Sequence, residues 1–190
     1  MSEVFKLDTS EASKVEFKKE QPKLLNLVAE DHAILKQVLP EFDFKNPPVD
    51  PEKLASDLAE TCKANHGIGL SANQCGLPYR VFVMGSEEGY LAYFNPSIVL
   101  KSKKEVHMME GCLSFPFLGL RITRPEEVAV TYQDYTGEWK ETQFSGISAR
   151  CFQHELDHMD GIVYTSHAKP MALQSGMTKR NKILKKLRLR

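Results

Sequence analysis

The stretch Gln153-His154-Glu155-Leu156-Asp157-His158 constrains this chain more than any other, because it puts two imidazoles and a carboxylate on what reads as a buried helix. Projected at about 100° per residue, residues 147 to 162 place Ile147, Cys151, His154, His158 and Ile162 in one stripe. Ala149, Phe152, Leu156 and Met159 fall nearly opposite. A helix that is apolar on two faces runs through a core. Ser145 or Ser148 can cap its start and Gly161 can end it. Two histidines inside a core must find partners, since an unpaired buried polar group costs about 1 to 3 kcal/mol. A metal held by His154 and His158, four apart on one face, satisfies both, with Glu155 beside it as a proton carrier. The duller reading is a chance His-Glu-x-x-His on an ordinary core helix.

The rest of the chain supplies a sheet for that helix to pack on. Residues 1 to 23 are polar and without period, and read as a loosely held arm. Leu24 to Leu39 is long enough for a short helix, and Pro40, Pro47 and Pro48 break the next stretch into loop. Asp50-Pro51-Glu52 opens a helix whose stripe is Leu54, Leu58 and Cys62, with Gly67 as its end. Short strands are predicted over Tyr79 to Met84, Tyr90 to Phe94 and Ser97 to Lys101, with Asn95-Pro96 as punctuation. Glu126 to Gln133 and Trp139 to Phe144 alternate around an Asp134 to Glu138 turn and predict a hairpin. The fold class is therefore α+β, with small mixed or antiparallel sheets wrapped around a central buried helix that carries the metal ligands.

Composition sets bounds on this picture. A chain of 190 residues with 42% hydrophobic content buries one good core, so a single domain is expected over 1-190. Lys plus Arg equals Asp plus Glu at 25 each, which gives no general pull toward nucleic acid or membrane. No run approaches the 18 or so apolar residues of a membrane span, the first twenty residues lack the apolar centre of a signal peptide, and a cytoplasmic protein with reduced cysteines is expected. The balance is uneven, however. From Lys179 to Arg190 there are seven Lys or Arg and no acid, interleaved with Ile183, Leu184, Leu187 and Leu189. This predicts a basic amphipathic helix over about 170 to 190, either a solvated terminal helix that packs its leucines or a contact for the ribosome.

A catalytic metal site needs three protein ligands and an open position for water. His32, His66, His107 and His167 qualify by residue type, but Glu110-Gly111-Cys112-Leu113-Ser114 offers Cys112. Together with Gly67-Ile68-Gly69-Leu70-Ser71-Ala72-Asn73-Gln74 and Gln153-His154-Glu155-Leu156-Asp157-His158, it resembles the peptide deformylases. Their motifs have the form Gly-x-Gly-x-Ala/Ser-Ala-x-Gln, Glu-Gly-Cys-Leu-Ser and Gln-His-Glu-x-Asp-His, and all three stand here in that order. The resemblance runs from about Leu24 to His167.

The resemblance implies one divalent metal, Fe²⁺ natively and replaceable by Ni²⁺, Co²⁺ or Zn²⁺, held by Cys112, His154 and His158. It implies removal of the formyl group from formyl-methionyl nascent peptides, with Glu155 as general acid and base. The backbone N–H of Leu113 and the side-chain amide of Gln74 would receive the developing oxyanion. A bound metal brings the pKa of its water toward about 7, which suits the same chemistry. Ile68, Gly69 and Gly111 would line the substrate path. Arg150 and Cys151 would line a methionine pocket, the stem of Arg150 inside and its guanidinium reaching out. Glu110 would pair with Arg124 to brace the cysteine strand, and Asp157 would face away from the metal. Cys62, Cys75 and Cys151 read as packed thiols. A monomer of bacterial or bacteriophage origin is expected. Two other readings remain open at this point: a zinc endopeptidase, which needs a groove on both sides of the scissile bond, and a binding protein whose structural metal is closed by a fourth side chain.

Overall fold

The computed structural model describes residues 20–86 and 89–188. The arm expected over 1 to 23 lies outside the described residues as far as 19, and so do the last two residues of the tail. Helix α1 spans Pro51–Ala64, where the Asp50 carboxylate accepts from the backbone N–H groups of Glu52 and Lys53. Seven strands come next, β1 (Gly69–Ser71), β2 (Val81–Ser86), β3 (Gly89–Lys101), β4 (Glu105–Cys112), β5 (Phe115–Pro125), β6 (Glu127–Gln133) and β7 (Trp139–Ser145). Then come α2 (Gly146–Met159) and α3 (Pro170–Arg188). Single turns of 3-10 helix lie at Ala33–Lys36, Ala72–Cys75 and Tyr164–His167.

The strands form a five-stranded sheet in the order β1-β2-β3-β6-β7 and a separate β4–β5 hairpin, with every pairing antiparallel. Helix α2 lies between them and touches β1, β2, β6 and β7 on one side and β5 on the other. This is the expected α+β arrangement around a buried helix. Phe152 of α2 is fully buried. Its ring lies 5.1 Å from Phe82 and 5.6 Å from both Tyr93 and Phe144. Such contacts between aromatic rings add to the burial of their area. On the other face of the large sheet, Leu54, Leu58 and Cys62 of α1 pack on Leu70, Val81, Val83 and Phe94. A third cluster, Leu118, Leu120, Ile122 and Tyr164, lies beneath Leu173 and Met177 of α3.

Four local expectations change. Helix α1 ends at Ala64 rather than at Gly67, and the left-handed residue after it is His66, φ 56°. Gly67 has a different use, since a Cβ there would stand 2.8 Å from Leu113 Cδ1 and 2.9 Å from Cys62 Sγ. Asn95-Pro96 does not divide two strands; β3 runs through it with a bulge, and the Asn95 amide bonds to the backbone of Phe42 and to Gln133. Between 24 and 39 there is only the 3-10 turn Ala33–Lys36. Finally, apart from a strand at Cys112, expected to be braced by Glu110 and Arg124, the β4–β5 hairpin has no counterpart among the strands expected from pattern. Its alternation is present, with Leu118, Leu120, Ile122 and Arg124 buried and the residues between them exposed, but an arginine occupies one inward position. Gly161, by contrast, ends the α2 region as expected, at φ 70°, where a Cβ would meet the Lys36 backbone at 2.8 Å.

Truncating Phe152 to alanine should cost about 3 to 5 kcal/mol, read as a drop in unfolding free energy in urea. A loss under about 1 kcal/mol would mean that the aromatic cluster can collapse around the gap.

Candidate metal centre and active site

Cys112 stands at the end of β4, where the register with β5 shifts between Glu110 and Cys112 and the chain turns through Leu113 and Ser114. The shift brings its sulfur to α2. One ligand atom each from Cys112, His154 and His158 lies within 4.8 Å of the others. Cys112 Sγ is 3.3 Å from His158 Nε2. Thiolate and imidazole ligands on one tetrahedral ion stand about 3.5 Å apart, given Zn–S near 2.3 Å and Zn–N near 2.0 Å. One sulfur and two nitrogens at this separation fit a borderline-soft divalent metal.

Of these three residues, His154 is held from behind by charge. His154 Nδ1 lies 3.1 Å from Glu110 Oε2, which leaves the other ring nitrogen to the metal side. Arg124 Nε donates to Glu110 Oε1 at 2.7 Å and Arg124 Nη2 to Oε2 at 3.0 Å. Arg150 Nη1 donates to Oε1 at 2.8 Å. Arg124 also reaches Asp157 Oδ2 at 2.7 Å, and His167 Nε2 meets the same oxygen at 2.8 Å. Asp157 thus faces away from the metal, and the Glu110–Arg124 pair forms as expected. The guanidinium of Arg150 does not reach out. It turns inward and donates to Glu110 and to the backbone carbonyls of Ile122 and Val106. Those strand carbonyls and the Glu110 carboxylate together satisfy a buried cation.

Burial by itself would raise the pKa of Glu110, but His154, Arg124 and Arg150 hold it well below the ordinary carboxylate range. Burial would depress His154; the Cys112 sulfur and the Glu110 and Glu155 carboxylates outweigh it and raise the metal-free group to about 10. His158 is pushed down, first by burial and then by the positive charges of His154 and Arg124, which favours the neutral form that a metal needs. Glu155 is raised by burial. Burial also lifts Cys62 and Cys75 to about 12 and Cys151 well above its usual value, which suits packed thiols.

Gln74 comes to the same place from the turn after β1. Its Oε1 accepts from the Ser71 N–H at 2.9 Å, and its Nε2 points toward Cys112 Sγ at 3.2 Å and Ser114 Oγ at 3.1 Å. Both groups open on a cleft of about 660 Å³. Its walls include Gln74, Cys112, Leu113, His154 and Glu155, and also Ile68, Gly69, Gly111, Arg150 and Cys151. His158 lies behind them and is 1% exposed. Leu27, Met108, Met109, Phe117 and Ile147 also line it and are not among the residues expected there. Met108 and Met109 belong to the unexpected hairpin. Ile147 falls on the expected stripe of α2, but that stripe gives no sign of a pocket.

The chain matches the family model described as polypeptide deformylase over residues 24–174. The chain belongs to the polypeptide deformylase family. The peptide deformylase of Phenylobacterium zucineum is 36% identical over 155 residues, covering 78% of this chain and 89% of that protein. That of Wolbachia pipientis wMel is 35% identical over 147 residues, covering 70% and 82%. Among solved structures, the peptide deformylase of Legionella pneumophila superposes with TM-score 0.78 at 28% identity, covering 88% of this chain and 99% of that one. An Acinetobacter baumannii peptide deformylase bound to Met-Ala-Ser superposes with TM-score 0.72 at 27% identity, covering 77% and 99%. This deformylase is therefore an enzyme that acts on nascent polypeptides, from a metal-dependent family, with a three-donor cluster fit for a metal.

The buried carboxylate makes a prediction for the metal-free protein. A folded pKa held below the unfolded value gives stability that is present above about pH 4.5 and lost as the pH falls. Glu110→Gln should cost about 3 kcal/mol near pH 7 by leaving two buried arginines short of a partner. Its urea midpoint should also vary less than that of the wild type between about pH 5 and pH 3. Parallel curves for the two proteins would show that Glu110 carries no such linkage.

Proposed function

We propose that this deformylase removes the formyl group from formyl-methionyl chains at a metal held by Cys112, His154 and His158. The observation that carries the reading is the meeting, at one cleft, of Cys112 and His154, backed by His158, with the Glu155 carboxylate and the Gln74 amide. Neither Glu155 nor Gln74 is needed to close a structural metal site. When bound, the metal supplies the Lewis acidity that makes water nucleophilic near neutral pH. Fe²⁺ is the proposed native ion, with Ni²⁺, Co²⁺ or Zn²⁺ as substitutes.

The positions of the side chains support the roles proposed for these residues. Glu155, buried and raised in pKa, takes a proton from the attacking water and delivers it to the leaving amine. The formyl oxygen gains negative charge as the carbon becomes tetrahedral. The Gln74 Nε2 donor, oriented by the Ser71 N–H, and the Leu113 N–H meet that charge, and losing one such donor costs about 3 to 4 kcal/mol of barrier. The peptide lies as an added strand along Ile68 and Gly69 on one side and Gly111 on the other. The methionine side chain enters between Ile147, Cys151, Met108 and the aliphatic stem of Arg150. Support for this substrate comes from the tripeptide held by the Acinetobacter relative.

Beyond the site, we take residues 1-190 as a single domain, a monomer that works in the cytoplasm, and α3 as a contact for the ribosome. Lys179, Lys182, Lys185 and Lys186 of α3 are exposed, while Leu173 and Met177 dock its first half. Among the described residues no helix is long and apolar enough to cross a membrane.

Turnover of formyl-Met-Ala-Ser by Ni²⁺-loaded protein tests the reading. Cys112→Ala should lose both metal and activity. Glu155→Ala should keep stoichiometric metal and lose at least about a hundredfold in kcat. Full turnover by Glu155→Ala would refute the role given to that carboxylate, and full metal retention by Cys112→Ala would refute the ligand set.

A further inference from the structure

Glu155 is held by strand β1, and the manner of holding distinguishes its two oxygens. Side chains two apart on a strand share a face, so Gly69 and Ser71 both face α2 while Leu70 points into the opposite cluster. A Cβ on Gly69 would stand 2.5 Å from Glu155 Oε1 and 2.6 Å from Cys151 Sγ, so the carboxylate occupies space that only glycine leaves. Two residues on, Ser71 Oγ donates to Glu155 Oε2 at 2.5 Å and lies 3.4 Å from the Glu155 backbone carbonyl oxygen. Ser71 is fully buried and does not line the cleft, whereas Gly69 and Glu155 do. The same residue's N–H fixes the oxygen of the Gln74 amide at 2.9 Å.

We infer that Ser71 is a positioning residue for deformylation, which pins Oε2 of Glu155 so that Oε1, over Gly69, is the oxygen that takes and returns the proton. Through its backbone it also sets which end of the Gln74 amide faces the cleft. One residue therefore sets the directions of the proton carrier and of an oxyanion donor. The inference rests on the proposed role of Glu155. Its own content is the division of labour between the two carboxylate oxygens, with Oε2 bonded to the hydroxyl and Oε1 in the space that Gly69 leaves. Alanine removes only the hydroxyl, and the backbone N–H that orients Gln74 survives the change.

The test compares wild type, Ser71→Ala and Glu155→Gln as full-length protein. Ser71→Ala should lower kcat for formyl-Met-Ala-Ser on Ni²⁺-loaded protein by about tenfold, with KM within about twofold because no substrate contact is removed. In the metal-free protein, the carboxylate infrared band that disappears in Glu155→Gln should move in Ser71→Ala, a signature that a purely structural serine would not produce. An unmoved band overturns the inference even if kcat falls, because Ser71 would then act by another route. A moved band with wild-type kcat overturns it as well, since the bond would not matter to the reaction. If Glu155→Gln keeps full turnover, or the wild type has none, the reading of Glu155 fails and takes the inference with it. Loss of turnover in Glu155→Gln alone, with Ser71→Ala at wild-type kcat, removes the inference and leaves the reading standing.

Discussion

The site depends on one buried carboxylate. Glu110 accepts from two arginines and lies against the imidazole of His154 on α2, and it is 5% exposed. Isolated, such a charge would cost several kcal/mol to bury; with its bonds made, it becomes a fixed negative point behind His154. Carboxylate–histidine pairing of this kind fixes both the ring orientation and the tautomer of a ligand. The arginines tie the arrangement to the fold. Arg124 comes from β5 and also holds Asp157 of α2, while Arg150 of α2 reaches back to carbonyls of β4 and β5. Helix and hairpin are therefore joined through the group that orients the ligand, so a disturbance in their packing is felt at the metal side of His154.

The opposite wall of the cleft is arranged by close approach rather than by charge. Gly67 lets Leu113 and Cys62 come near, and Gly69 leaves room for Glu155. Strand β1 has only three residues, all buried, and it connects α1 to the turn that carries Gln74. The two walls meet at Cys112, whose sulfur faces His158 from one side and the Gln74 amide from the other. Cys112, Glu155 and the Gln74 amide are thus set on hydrogen-bonded elements, which fixes their mutual geometry.

Much of this is legible in the chain. The periodicity of 147 to 162 gives the buried helix with Phe152 and Met159 on its core side, and the residues expected at the site do gather there. The Asp50 cap and the β6–β7 hairpin also come from local chemistry. The features that are not legible have a common cause. Arg124 and Arg150 are charged residues in inward positions, so the alternation of β5 is masked and the guanidinium of Arg150 reads as solvent-facing. Local pattern assigns a charge to water unless its partner is known, and the partner, Glu110, lies 14 and 40 residues away. The end of α1 and the course of β3 differ from expectation because His66 and Asn95 adopt positive φ where glycine or a chain break is expected. The pairing of Ser71 with Glu155, 84 residues apart, has no local signal either.

The central claim is that a thiolate and two imidazoles close on one ion and leave room for a water. X-ray absorption at the metal edge of Ni²⁺-loaded protein measures that directly. The account predicts one sulfur near about 2.3 Å with two nitrogens and one further light atom near about 2.0 to 2.1 Å, and loss of the sulfur shell in Cys112→Ala. A second sulfur, or no sulfur in the wild type, would contradict it, because the ion would then sit in a different site from the one that Glu110 and its arginines hold in place.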